Sequence, residues 1–546
     1  MRATHEYHRR VSLNRIRPRG GTSHGRLVLL FLLALGVVAG AVPGATAADR
    51  PVAVIVVPTF DPAEYTDRGA VGLLVPGAGS TVSRERALAS LVSGRVVSSL
   101  VDLEGEPILR LADAPAETTI YIALPPPGSS HNVVRYPVAI VGPWYRGLLT
   151  SSSTRIDGLI SLADIAPTAA AIAAGTSPKI RSRPDTQAAA TLARLDIDLS
   201  RAHDARTGAT IVLVAWLVVF SALGILGRSA LAGRAAVLVA PAALATAIVL
   251  RAVGVDDPAM VTIALAVSVG IVAFLLGLRS EMLAPAVVGL LSLFLLTLAV
   301  WPEINALAAI GPHPDGGGRF FGVTNQVSTL LLAPSLAAAA LAGVAGAVAI
   351  GLLLLVTVGW SRAGADGGGV LVAATAFAVL LAGTTRTRLT PARAVAGILG
   401  VAAIGLAIVG LDALLGGSSH VTDAVGGGPG TLLDDVDRRL HISWAGATSG
   451  IHTAFFCVLS LGGLAWLGWR GRGSPVIVAM LVGLGVSLVV NDTPVDVLGY
   501  GALGLLALTA WDETRERRGE AHASSGSGFS RHHLMGKQAP RLERTL

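Results

Sequence analysis

Hydrophobic residues follow two different patterns along the chain, and the pattern changes near residue 206. Between residues 51 and 206 the apolar runs are short and are bounded by Pro or Gly, as in VAVIVVP, GLLVP, TTIYIALP and YPVAIVGP. Such runs predict strands that enter turns. The intervening segments SRERALASLVSGRVVSSLV and SLADIAPTAAAIAAG have helical spacing. The alternation predicts an α/β domain with a largely parallel sheet.

After Thr207 the apolar runs become much longer. A hydrocarbon core about 30 Å thick requires about 20 helical residues to cross it. Runs of that length predict a polytopic α-helical membrane domain over residues 207–511. We count eleven segments: 208–227, 235–252, 259–278, 282–301, 323–341, 344–360, 368–384, 394–412, 450–469, 474–490 and 496–511.

The N-terminus predicts export of the α/β domain. Residues 1–26 are rich in Arg and His, and residues 27–47 are apolar and end in Ala-Thr-Ala-Ala before Asp49. This is the pattern of a signal peptide or a signal anchor, and cleavage stays open. Residues 1–48 therefore form a cytoplasmic basic segment and a signal helix, and residues 49–206 are predicted to be extracytoplasmic.

Arginine placement tests that orientation, because short cytoplasmic loops are enriched in Arg. The exported domain makes the first long helix run from outside to inside. On that topology the following residues lie on inner loops or at the start of the inner tail: Arg228, Arg234, Arg279, Arg386, Arg388, Arg393, Arg470, Arg472 and Arg515. The polar tail 512–546 is predicted to be cytoplasmic and disordered.

Composition supports the membrane class and a bacterial plasma membrane. Of the 546 residues 52% are hydrophobic and 14% charged. The net charge of +7 lies in tails and short connections, so nucleic acid is not a predicted partner. The single cysteine, Cys457, excludes an internal disulfide. High Ala, Gly, Val and Arg usage is typical of a GC-rich bacterial source.

Four polar, Gly-rich stretches interrupt the apolar half, and all four face outside on this topology. They span residues 311–326, 360–369, 417–441 and 491–496. Polar groups near lipid are costly unless they line a cavity or meet partners, so a shared outer site is one interpretation. Ordinary solvated connecting loops are the other.

Several side chains in these stretches suit an anionic ligand. Arg319 and Arg362 are able to pair with phosphate or carboxylate, and helix N-termini near Asn325 and Gly367 add backbone N–H donors. The predicted outer-face polar site consists of Asp315, Arg319, Asn325, Gln326, Arg362, Asp366, His420, Asn491 and Asp492. Its acids and His420 suit acid, base or metal contacts, but no spacing matches a metal or phosphate-loop signature. We predict no metal and no cofactor.

Residues 134–175 resemble the C-terminal part of domains of the alkaline phosphatase and sulfatase superfamily. There a strand is followed by a Thr-Arg-x-x-Gly stretch and by Asp-Ile-Ala-Pro-Thr. The membrane half resembles uncharacterised bacterial multi-span proteins that carry such a domain, through RFFGVTNQ, GADGGG, SSH and ND at 491–492. The matching residues in the domain are Thr154, Arg155, Gly158, Asp164, Pro167 and Thr168.

The resemblance implies a shortened, non-catalytic relative. Active members bind two divalent metals through several Asp and His residues and attack with Ser or Thr. Between residues 50 and 206 this chain has only His131 and His203. Asp164 and Pro167 are then expected to begin a helix, with Asp164 as its cap.

Three functions follow as hypotheses, with the oligomeric state open. In the first, membrane lipids surround a cell-envelope protein whose exported domain is a scaffold and whose outer face binds an anionic lipid or lipid-linked envelope precursor. In the second, the helices form a transporter or flippase. In the third, the exported domain is an extracytoplasmic phosphatase or phosphotransferase. The sequence leans against catalysis by this domain.

Overall fold

The computed structural model describes residues 50–96, 107–385 and 429–531, together with residue 390 and a few positions up to 410. The predicted signal segment 1–48 and His420 lie outside these residues. The described residues form an α/β domain followed by a helical bundle, and both belong to one compact unit that begins at Arg50.

The α/β domain is built on a sheet with strand order β1-β4-β6-β2-β7-β9, in which β8 also pairs with β2. Its helices are α1 (Arg84–Ser93) and α2 (Ile165–Ala173). A separate pair is formed by β3 and β5. The strands are β1 Val52–Val57, β2 Gly69–Val75, β3 Thr81–Ser83, β4 Thr118–Ala123, β5 Ser129–His131, β6 Tyr136–Val141, β7 Gly147–Ser151, β8 Leu159–Ser161 and β9 Ile180–Arg183.

The sheet is mixed, so the prediction of a largely parallel sheet is wrong. β1 and β4 are parallel, as are β2 and its neighbours β7 and β8, but β6 is antiparallel to both β4 and β2. β9 is antiparallel to β7. For β4 and β6 the physical reason lies in the connection: the chain between them holds no helix, and parallel neighbours require a long crossover, usually helical.

Both faces of the sheet are covered. Every residue of β2 is buried. Ala70 and Leu74 join a core with α1 and α2 on one face. Val71, Leu73 and Val75 point to the other face, into a core with Leu192, Leu195 and Leu199 and with Leu307 and Phe320 of the helical half. The α/β domain is therefore packed against the bundle by apolar contacts.

The helix α3 (Ala188–Ile225) connects the two halves without interruption. At 1.5 Å per residue it is about 57 Å long. Its buried positions recur every three or four residues from Ala188 past Leu213. The predicted boundary between residues 206 and 207 thus falls inside one continuous helix, because the helical face stays buried although the apolar run starts later.

The remaining helices follow the predicted apolar segments, although 394–412 is described at only a few positions. Within the described residues, seven helices are long and apolar enough to cross a membrane. Those starting at Asn325, Gly343 and Pro475 are shorter. The helices are α4 Ala230–Ala252, α5 Pro258–Gly277, α6 Leu283–Val300, α7 Pro302–Ala306, α8 Asn325–Leu341, α9 Gly343–Gly359, α10 Gly367–Thr384, α11 Pro429–Ala447, α12 Ile451–Arg470, α13 Pro475–Val490 and α14 Pro494–Arg531.

Besides the short α7, which lies outside every predicted segment, two of these helices differ from the prediction. α11 lies where the third polar stretch, 417–441, was expected to be a loop. This helix is amphipathic, so its apolar residues alternate with charged ones and form no continuous apolar run. The second is α14, which continues to Arg531 although the tail from residue 512 was predicted to be disordered. Residues 532–546 lie outside the described part.

Candidate functional site

Three of the polar stretches, 311–326, 360–369 and 491–496, lie at the end of the bundle that contacts the α/β domain, which we call the domain-side end. The first two stretches pair with each other there, because the N–H of Val323 donates to the Gly364 carbonyl at 2.9 Å. The Asn305 side chain donates to the Gly322 carbonyl at 3.1 Å and is fully buried. The stretches therefore form a packed layer rather than separate loops.

Asp315 is the most enclosed acid of this layer, with 2% of its side chain exposed. The Arg206 guanidinium contacts both of its oxygens, at 2.6 and 2.9 Å. His203 Nδ1 lies 2.7 Å from Oδ2. Since His203 and Arg206 lie one turn apart on α3, this carboxylate fastens the first polar stretch to the connecting helix.

Burial and charge act in opposite directions on this cluster. Burial raises the pKa of Asp315, but the hydrogen bond and charge of Arg206, followed by those of His203, hold it below its usual value. Burial, with the charge of Arg206, lowers the pKa of His313 to about 4, although Asp315 and a hydrogen bond with Gln326 oppose this. At neutral pH His313 is thus an uncharged imidazole beside a Gln326 amide.

Arg319 is already occupied by protein groups. One terminal nitrogen donates to the Val323 carbonyl and, at 3.2 Å, to that of Gly364. The other lies 3.8 Å from Asp366 Oδ1. That carboxylate caps α10, accepting from the Gly369 N–H at 3.1 Å. Only 31% of the Arg319 side chain is exposed. Its guanidinium therefore stabilises the layer and has few free N–H groups for a ligand.

Asn325 and the fourth stretch come together at the same end. The Asn325 amide donates to Thr493 Oγ1 at 2.9 Å and to Asp492 Oδ1 at 3.3 Å. The neighbouring Asn491 is buried, donates to Ser487 Oγ at 2.8 Å, and accepts at its carbonyl from Ser443 of α11 at 3.0 Å. Asp492 itself is exposed.

Three helix N-termini converge here. α8 begins at Asn325, which contacts Thr493 directly before the start of α14. α10 begins at Gly367, and a Cβ added at Gly368 would overlap the Asn491 side-chain oxygen. Each N-terminus carries about half a positive charge from its aligned peptide dipoles. The convergence therefore places partial positive charges beside the carboxylates of Asp366, which caps α10, and Asp492.

The predicted site residues fall into three groups. Asp315 and Gln326 lie in the buried cluster around Arg206 and His313, and Arg319 and Asp366 brace the backbone. Asn325, Asn491 and Asp492 surround the converging helix ends. Arg362 is exposed just before α10. His420 lies outside the described residues, so three of the four stretches are seen to meet and the third enters only through α11.

The residues of the phosphatase-like motif make hydrogen bonds within the α/β domain. The Thr154 hydroxyl is fully buried and donates to the Leu159 carbonyl at 2.6 Å. Thr168 Oγ1 accepts from the Ile180 N–H at 3.1 Å, which anchors β9. Gly158 adopts a left-handed conformation with φ 86° while its N–H donates to the Leu149 carbonyl at 2.8 Å.

Asp164 does not cap α2 through its side chain, so that expectation is wrong. Its carboxylate instead accepts from the hydroxyls of Ser151 at 2.6 Å and Ser153 at 2.8 Å. Two nearby hydroxyls at the end of β7 and in the following turn thus satisfy the buried carboxylate oxygens. Pro167 occupies the first turn of α2, where its missing N–H has no helical partner to lose.

Arg155 links the motif to the membrane half. Its guanidinium donates to the Ser361 carbonyl at 2.7 Å and lies 4.0 Å over the Phe321 ring. A second contact lies at Asn132, whose amide donates to the carbonyls of Gly77 and Gly316 at 2.8 and 3.1 Å. The α/β domain is thus tied to the first two polar stretches.

The sequence did not single out Arg206, His313, Asn132 or Asn305. Only Arg206 carried a usable signal, because a charge at the edge of a long apolar run requires a partner. Among the described residues no group of three or more His, Cys, Asp and Glu is arranged to hold a metal ion.

Comparison of the chain with protein-family models, with curated proteins and with solved structures finds no match in any of the three. The phosphatase-like motif therefore remains a resemblance of sequence.

Proposed function

We propose that the chain is a bacterial cell-envelope membrane protein whose domain-side end faces outward and binds an anionic lipid or lipid-linked envelope precursor. The observation that carries the proposal is the meeting of the N-termini of α8, α10 and α14 around Asn325, Gly368 and Thr493. Backbone N–H groups and helix dipoles at such points favour phosphate groups.

Arginines balance two of the neighbouring carboxylates. Asp315 is compensated by Arg206, and Asp366 lies near Arg319. Arg362 is exposed at the positive end of α10. The opposing charges are Asp492, which is exposed beside Asn325, and Asp496 in the first turn of α14. Removing the charge of either carboxylate should therefore help an anion to bind.

The opposite end of the bundle supports the outward orientation. Arg234 is buried there and donates to the Gly277 carbonyl at 2.7 Å, while Arg228, Arg279 and Arg472 are exposed. Trp466 and Trp469 of α12 lie beside Arg470 and Arg472. Arginines and interfacial tryptophans together are typical of a cytoplasmic membrane boundary.

In this proposal the α/β domain is a scaffold. Its phosphatase-like residues hold strands together, and Arg155 binds the second polar stretch. The Thr154 hydroxyl has no exposed surface from which to attack a phosphoester. A domain held in this way keeps the loops before α8 and α10 in one arrangement.

The test compares Arg362→Gln with Arg228→Gln, an exposed arginine at the opposite end. Purified full-length protein in detergent is titrated with a polyprenyl diphosphate. Arg362→Gln should weaken binding about tenfold, the loss expected for one charge-assisted hydrogen bond. Arg228→Gln should bind as wild type. Equal affinity of wild type and Arg362→Gln, or no binding by wild type, would contradict the proposal.

A transporter or flippase is the second candidate, and Asp496 favours it. This acid lies in the first turn of α14, a helix apolar enough to cross a membrane. Ionisable groups in such positions often mark ion or proton paths. Asp496→Asn discriminates between the two: it should strengthen binding at an anion site but abolish a cation-coupled transport activity measured in proteoliposomes.

A further inference from the structure

Two tryptophan–arginine pairs end α12 at the side of the bundle opposite the α/β domain. The Arg470 guanidinium carbon lies 5.6 Å from the Trp466 ring centre, and that of Arg472 lies 5.6 Å from the Trp469 ring centre. The two tryptophans are 50% and 65% exposed. Large indole rings are seldom left open in this way unless they face a partner or a lipid boundary.

The indoles continue an exposed apolar surface. Phe455, Val458 and Leu459 on the same helix are 68%, 68% and 62% exposed. α12 is also one of the helices long and apolar enough to cross a membrane. The surface therefore changes from aliphatic and phenyl groups to indole and then to guanidinium, the order that follows the change from hydrocarbon to head groups.

The turn after α12 has an uncompensated positive charge. Residues 466–474 include Arg470 and Arg472 but no Asp or Glu. Arg470 is paired with Glu513 of α14, at 3.2 Å for Nη2, which fixes the end of α12 against its neighbour. Arg472 is exposed, and the described residues place no carboxylate within ion-pair distance of it.

We propose that Trp469 and Arg472 form a binding site for the phosphate of an anionic phospholipid in the leaflet at this end. The indole face holds the guanidinium at the boundary and shields it from water, which strengthens its interaction with phosphate. Arg470 stays with Glu513 and positions the turn. The site shares with the proposed function only the membrane setting, because it lies at the other end of the bundle.

Native mass spectrometry of the full chain in mild detergent tests this site. Wild type is titrated with dioleoyl phosphatidylglycerol and, separately, with dioleoyl phosphatidylcholine, which has the same tails. We expect wild type to bind phosphatidylglycerol more tightly. Arg472→Gln should remove about fivefold of that affinity, the effect of one arginine near an anionic surface, and leave phosphatidylcholine unchanged.

Two further variants complete the design. Trp469→Leu keeps an apolar side chain and should also weaken phosphatidylglycerol binding, whereas Arg362→Gln at the domain-side end should not. The latter variant is the one expected to weaken polyprenyl diphosphate binding, so the two proposals fail separately. Equal binding of the two phospholipids by wild type, or unchanged phosphatidylglycerol binding by Arg472→Gln, would overturn the inference.

Discussion

Arg206 and Asp315 are 109 residues apart in sequence, yet the Arg206 guanidinium contacts both Asp315 carboxylate oxygens at 2.6 and 2.9 Å. Both side chains are nearly enclosed, with 11% and 2% exposed. The pair joins α3, which begins at the α/β domain, to the first polar stretch. The ion pair therefore connects the two halves of the molecule. Because both side chains are buried, removing either one would leave the charge of the other uncompensated.

Breaking this pair should be costly. Arg206→Gln leaves Asp315 buried and short of its main cation, and loss of one partner of a buried ion pair costs about 3–5 kcal/mol. We expect a clear fall in the thermal unfolding temperature in detergent. The control is Arg201→Gln on the same helix, whose pair with Asp256 at 2.7 Å is open to solvent and therefore contributes much less. Equal shifts in the two variants would contradict this account.

Acid should destabilise the same cluster in two steps. Both folded-state pKa values are lowered, that of His313 from 6.5 to about 4 and that of Asp315 below 3.8. Below pH 6.5 the unfolded chain therefore binds the His313 proton first, and stability falls until pH reaches about 4. Protonation of Asp315 then removes its contribution at still lower pH. The first step amounts to at most about 3 kcal/mol.

The pH dependence is checked by unfolding between pH 7.5 and 4 in His313→Asn. This variant should be less stable at neutral pH but should vary less with pH over that range than wild type. His131→Gln, which replaces an exposed histidine of β5, should keep the wild-type profile. An unchanged pH profile in His313→Asn would show that another group titrates.

The sequence predicted most of the helices, but it did not show which polar side chains are free to bind a ligand. Long apolar runs predicted ten helices that the structure contains, because helix length and hydropathy are local properties. Arg319 looked free for a ligand, and only the fold brings the Val323 and Gly364 carbonyls to its guanidinium. In the sequence Arg206 likewise appeared only as the residue before a long apolar run. In the structure it belongs to the buried face of α3.

Arg155 should hold the α/β domain to the second polar stretch. Arg155→Lys keeps the charge but loses the planar fork and the stacking on Phe321, which together are worth about 1–3 kcal/mol. Hydrogen exchange should therefore increase at residues 360–366, near the Ser361 carbonyl. Arg183→Lys is the matched control, since its 2.5 Å pair with Asp157 is largely exposed. Unchanged exchange at 360–366 would mean that Arg155 does not carry the contact.

Gly317 tests how closely the two halves must approach. It has φ 64°, and a Cβ added there would overlap the Gly77 carbonyl oxygen of the α/β domain. Gly317→Ala should therefore separate the two loops and strain the backbone, with a loss of about 1–3 kcal/mol. Gly318→Ala is the control, because a Cβ there meets nothing within 4 Å.

The measurement is proteolysis and hydrogen exchange at residues 77–80, which we expect to be faster in Gly317→Ala alone. The Gly79 N–H donates to the Gly316 carbonyl at 3.1 Å, and this bond requires the two loops to stay close together. Equal protection in both variants would show that the loops separate without consequence for the domain.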